Sequence, residues 1–113
     1  MLLGSLLRAG IIDPQGQWFG PWPLQGAKDC RTMLYPTGRF DMECRGQEKY
    51  VGAGTWFRDR NHLEFDFRLF LRNERPVAEM KKMTLRIDGV RDGMHVGRLS
   101  DAGEPYSWRR ARP

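Results

Sequence analysis

Residues 30–45 constrain the fold of this chain more than any other stretch. Phe40, Met42 and Cys44 alternate with Arg39, Asp41, Glu43 and Arg45. One face is apolar and the other charged, which is the signature of a half-buried β-strand. Pro36-Thr37-Gly38 just before it reads as a three-residue hairpin loop. The last residue of such a loop commonly adopts a left-handed conformation, which Gly accepts at no steric cost. This turn sets Tyr35 against Arg39, Leu34 against Phe40, Thr32 against Met42 and Cys30 against Cys44. A slip of one residue would bury the charged set, so the register is strongly specified.

The same patterning continues along the chain. Asp13-Pro14-Gln15-Gly16 is a turn signal. A strand is expected around Trp18 to Trp22 and another from about Tyr50 to Arg58, where Gly52 and Gly54 suggest a bend or a close backbone contact. After a turn at Asp59-Arg60-Asn61, Leu63, Phe65, Phe67, Leu69 and Leu71 alternate with Glu64, Asp66, Arg68, Phe70 and Arg72. Asn73-Glu74-Arg75-Pro76 turns the chain back. From Val77 to Asp88 the alternation changes phase, because Met83, Leu85 and Ile87 leave Lys82 on the opposite face. A β-bulge near Lys81-Lys82 would reset it. Gly89 to Gly93 reads as a turn, and Met94 to Leu99 and Pro105 to Arg110 as the last strands. The expectation is an all-β, antiparallel up-and-down meander of about eight strands. Closing it into a barrel removes both sheet edges, with a two-sheet sandwich as the competing arrangement. Residues 1–15 read as an N-terminal arm or short helix, and residues 16–113 as a single β-barrel domain.

A chain of 113 residues is the usual size of one domain. With 40% hydrophobic and 29% charged residues it is globular, not disordered. No apolar run approaches the ~20 residues of a membrane-spanning helix. The opening MLLGSLLRAGII lacks both the charged start and the small-residue cleavage site of a secretory signal. The net charge of +5 is concentrated at the end of the chain, where Arg109, Arg110 and Arg112 fall in the last five residues. The body is nearly balanced, which describes a solvated surface more than a basic binding face.

Gly16-Gln17-Trp18 and the terminal arginines resemble the calycin group, lipocalins and their small relatives. In that group a Gly-x-Trp motif opens the first strand, and a basic residue near the end of the last strand packs across the Trp. Arg109 or Arg110, after Tyr106-Ser107-Trp108, fits the basic position, and a guanidinium stacked on an indole is physically reasonable. Gly54-Thr55-Trp56 fits the same short motif. The resemblance implies a barrel, a small apolar ligand and no catalytic residues.

Each residue that could carry chemistry also has a structural reading. Cys30 and Cys44 face each other in the inferred register, with Cβ atoms ~4.5–5.5 Å apart. They form either a disulfide, which would place the protein in an oxidising, extracytoplasmic compartment, or two reduced core thiols. A complete chain without a signal would be cytoplasmic. His62 and His95 belong to no motif, and no metal or cofactor site is expected. Glu64 and Asp66 share a strand face with Arg68 and Arg72, which suits cross-strand ion pairs better than acid–base catalysis. Trp18, Phe19 and Trp22 form either a recognition surface or a plug at one end of the domain; a plug suits the usual burial of Trp.

These readings converge on a non-catalytic binding protein. Thr32, Met42, Tyr50, Phe65, Phe67, Leu69, Met83 and Leu85 would line the interior around a small apolar molecule, with Thr32 or Tyr50 fixing its orientation. Trp18, Arg109, Cys30 and Cys44 would be structural. The alternative is a protein-interaction module or homodimer that uses an outer sheet face or residues 18–22. Single-stranded nucleic-acid binding, with Tyr50, Trp56, Phe70 and Trp108 as stacking candidates, ranks third.

Overall fold

A computed structural model describes the backbone of residues 13–90, 94–99 and 106–111, and the side chains of residues 13–86 and 107–111. The arm or helix expected over residues 1–15 falls almost wholly outside the described residues. No helix occurs among them, and so none that is long and apolar enough to cross a membrane.

The strands are β1 (Gly16–Phe19), β2 (Asp29–Leu34), β3 (Arg39–Arg45), β4 (Tyr50–Asp59), β5 (His62–Arg72), the two-residue β6 (Arg75–Pro76), β7 (Lys82–Val90), β8 (Met94–Leu99) and β9 (Tyr106–Arg110). All belong to one antiparallel sheet, ordered β4-β3-β2-β1-β9-β8-β7-β5-β6, and β4 pairs with β5 in addition. Among the described residues, and apart from the small β6, eight strands make up the sheet. The pairing of β4 with β5 runs over ten residue pairs, from Tyr50 and Arg72 to Asp59 and His62. That of β1 with β9 covers two, Trp18 with Arg110 and Phe19 with Arg109.

The β2–β3 hairpin has the register that its turn and alternation dictate. Leu34 pairs with Phe40, Thr32 with Met42 and Cys30 with Cys44. The Tyr35 amide donates to the Arg39 carbonyl at 2.9 Å, and Gly38 has φ of 91°. Cys30, Thr32, Leu34, Phe40, Met42 and Cys44 are all buried, and the charged residues between them lie outward.

Four local expectations need correction. The strand expected around Trp18 to Trp22 ends at Phe19, and Trp22 enters the core from the following loop, where its amide donates to Ala27. The phase change before β7 comes from a turn, not a bulge. Residues 78–79 turn, the Met80 amide donates to the Val77 carbonyl, and β7 starts at Lys82. Gly89, expected in a turn, belongs to β7.

The fourth correction concerns β5. Its register against β4 shifts between Ala53 and Gly54, because Ala53 pairs with Leu69 while Gly54 pairs with Phe67. Arg68 is therefore the extra residue of a β-bulge, and such a bulge re-aims every side chain beyond it. Leu63, Phe65 and Phe67 point inward as expected, but Leu69 turns outward and is 43% exposed. Phe70 takes the inward position instead. Gly54 makes this geometry possible. A Cβ there would lie 1.9 Å from the Asp66 carbonyl oxygen, so only Gly lets the two backbones approach.

Candidate functional site

Seven of the eight residues expected to line a ligand cavity face the interior: Thr32, Met42, Tyr50, Phe65, Phe67, Met83 and Leu85 are all buried. They pack against one another and against aromatic rings. Trp22 sits at the centre of this cluster, with its ring centroid 4.9 Å from Phe65, 5.5 Å from Trp108 and 6.1 Å from Phe67. Phe40 contacts Phe65 at 4.9 Å and Phe67 at 5.1 Å. These are contact separations for aromatic pairs, so the described rings pack directly against one another. The two polar groups expected to orient a ligand are engaged by the protein. Trp22 Nε1 donates to Thr32 Oγ1 at 2.8 Å, and Tyr50 OH donates to the Gln25 carbonyl at 2.7 Å. Leu69, the eighth candidate, is on the outer face for the reason given above.

The loop of residues 20–28 brings Trp22 inward, and the same loop receives Trp108, whose Nε1 donates to the Pro21 carbonyl at 2.7 Å. Trp18 and Trp22 are 2% and 1% exposed, so neither indole is presented to solvent. Only Phe19 of that group is open to solvent.

Where β1 meets β9, the basic partner of Trp18 is Arg110. Its guanidinium carbon lies 4.2 Å from the centroid of the Trp18 ring. The guanidinium also donates to the Asp13 carbonyl at 2.6 Å and to the Gln15 carbonyl, while Trp18 Nε1 donates to the Pro14 carbonyl at 2.8 Å. Arg109, the other candidate, pairs with Phe19 through the backbone, and its side chain is exposed. Gly16 is required here. Its φ is +118°, and a Cβ on it would lie 2.8 Å from the Arg110 guanidinium.

Cys30 and Cys44 are joined by a disulfide, with Cα atoms 4.0 Å apart, and both are buried. At the end of the sheet where β3 turns into β4, Glu48 accepts from Arg72 Nε and from Asn73 Nδ2, each at 2.9 Å. Asn73 also accepts from the Lys49 amide. These bonds to Asn73 and Arg72 hold the Glu48 carboxyl below its ordinary value of 4.5. Glu64 accepts from the Thr84 hydroxyl at 2.7 Å, and Asp66 is exposed. His62 is partly exposed at the start of β5, and the His95 side chain lies outside the described residues. Among the described residues no three His, Cys, Asp or Glu side chains gather in a group able to hold a metal.

The exposed Leu69 leads to a surface groove. The groove has a volume of about 380 Å³ and runs between β5 and residues 76–82. Leu69, Pro76, Val77 and Met80 line it together with the buried rings Phe67 and Phe70, and among its charged lining residues Arg68, Lys81 and Lys82 outnumber Asp66. Sequence reasoning missed this feature because it depends on the bulge. The one signal for it is the run Leu69-Phe70-Leu71, three consecutive apolar residues that leave the inward phase open.

No protein-family model, no curated protein and no solved structure matches this chain.

Proposed function

We propose that this is a non-catalytic binding protein that holds a small apolar molecule bearing an acidic group on its outer face, in the groove beside β5. The observation that carries the reading is the outward-facing Leu69 in an apolar groove edged by Arg68, Lys81 and Lys82. Its volume falls within the range of ~300–1,000 Å³ usual for small-molecule sites. A ligand in the interior would instead have to displace Trp22 and its neighbouring rings. The test is a fluorescence titration with an anilinonaphthalene sulfonate, which has an apolar body and an anionic group. Saturable binding that Leu69→Asp weakens at least tenfold supports the groove. Absence of saturable binding, or binding unchanged by that substitution, overturns it.

The sheet itself we read as a small calycin-like barrel with a solid interior. Its support is the run of pairings, in which β1 to β5 and β7 to β9 each have a neighbour on both sides, together with the stacking of Arg110 on Trp18. The buried disulfide supports residence in an oxidising compartment. A second reading, docking of a protein partner, is favoured by Phe57. It is 61% exposed on the part of β4 that extends beyond its pairing with β3.

A further inference from the structure

The bulge creates a second hollow on the outer face, beside the groove and distinct in chemistry. Its volume is about 270 Å³, and Arg39, Ala53, Gly54, Thr55 and Arg68 line it. The register explains how they meet. Arg39 of β3 lies opposite Thr55 of β4. Arg68 is the inserted residue of β5, between the pair Gly54 and Phe67 and the pair Ala53 and Leu69. The two arginines therefore flank β4 from its two neighbouring strands. The small residues Ala53 and Gly54 leave room between them, and the Thr55 hydroxyl adds a donor.

Both arginines are exposed, and neither has a carboxylate within 4.0 Å among the described residues. This sets them apart from Arg31, Arg45 and Arg72, which are paired with acids on the same surface. Two carboxylates lie in the neighbourhood. Asp41 is already engaged, accepting from Tyr35 OH at 2.9 Å and facing Arg31 at 3.8 Å. Asp66 pairs with Thr55 through the backbone, and its side chain is exposed.

We propose that the hollow formed by Arg39, Thr55 and Arg68 is an anion site that takes the phosphate group of a phosphomonoester. A guanidinium presents a planar fork of donors that matches phosphate oxygens, and charge-assisted bonds of this kind are the strong ones. A doubly charged oxyanion is the ligand that neutralises both arginines at once. The hollow is larger than the ~30 Å³ share of a single water molecule, so it accommodates such a group with its attached carbon.

The phosphate can come from a soluble molecule or from a lipid headgroup, and two arms separate these sources. In the first, backbone amide resonances are followed as inorganic phosphate is added at constant ionic strength. Saturable shifts centred on Ala53, Gly54 and Thr55, weakened at least tenfold by Arg39→Gln and by Arg68→Gln but unchanged by Arg75→Gln, support the site. In the second, sedimentation measures binding to phosphatidylcholine vesicles with and without phosphatidic acid. Binding that requires phosphatidic acid and is lost in Arg39→Gln supports the site and assigns it to a membrane surface. The proposal is overturned if neither arm shows saturable binding, or if binding in both survives Arg39→Gln. Arg39 lines the hollow and not the groove, and Met80 the groove and not the hollow, so Arg39→Gln and Met80→Ala read failure of the anion site and failure of the groove separately.

Discussion

Single side chains in this protein often serve a neighbour's hydrogen-bonding need, and Thr32 illustrates the principle. Its alternation places it inward between Cys30 and Leu34, which the sequence pattern conveys. Its role as the acceptor for the Trp22 indole requires a loop to fold over the sheet, and no local pattern encodes that. Thr32→Val keeps the shape and leaves a buried indole N–H without an acceptor, so it should cost ~1–3 kcal/mol in urea unfolding. Gly16→Ala places a methyl group against Arg110 at a φ of +118°. It should destabilise by ~1–3 kcal/mol, the usual range for backbone forced into a sparsely populated region. Glu48 yields a pH prediction. Its carboxyl is depressed in the folded protein by Asn73 and Arg72. Its contribution is therefore present above the ordinary carboxylate value and lost as pH falls through the lower, folded value. Glu48→Gln should flatten the acid limb of a stability-against-pH curve below about pH 4.5 and leave its slope near neutrality unchanged.

At the scale of elements, legibility follows the period of the pattern. The β2–β3 hairpin was readable to the residue, because alternation, turn chemistry and the facing cysteines all point to one register. Strand β5 was readable only up to Phe67. Beyond it Leu69, Phe70 and Leu71 are all apolar, and the phase is decided by the close approach of the Asp66 carbonyl to Gly54, a tertiary fact. The two phases predict opposite mutational outcomes. With the bulge, Leu69→Thr should change stability by no more than ~0.5 kcal/mol, as for other surface positions. Phe70→Ala removes a ring packed 5.1 Å from Phe67 and should cost ~3–5 kcal/mol. Reversed magnitudes in denaturant unfolding would sink the bulge.

For the molecule as a whole, strand count and all-β class were legible because breakers recur at short intervals. The packing of Trp22 against Phe65, Phe67 and Trp108 was not, because Trp22 comes from a segment that pattern alone assigned to a strand. The disulfide ties β2 to β3, two strands that a hairpin already joins. By the chain-entropy account, closing a loop of 14 residues contributes ~3 kcal/mol. Reduction should lower the unfolding midpoint accordingly. The intact mass of protein isolated without reductant should be two hydrogens below the reduced value if the protein is exported.

The pairing of β1 with β9 also governs how the molecule is assembled in time. Arg110 fastens to backbone near Asp13, 97 residues earlier in the chain. Closing so distant a contact forfeits chain entropy before it gains packing, and high contact order slows folding. The β2–β3 and β4–β5 hairpins can form from local sequence while the first strand waits for the last. On a ribosome, that wait ends only when Arg110 has cleared the exit tunnel. Until then β1 and β8 present unpaired edges, the surfaces on which a nascent β-sheet is most exposed to pairing with the wrong chain.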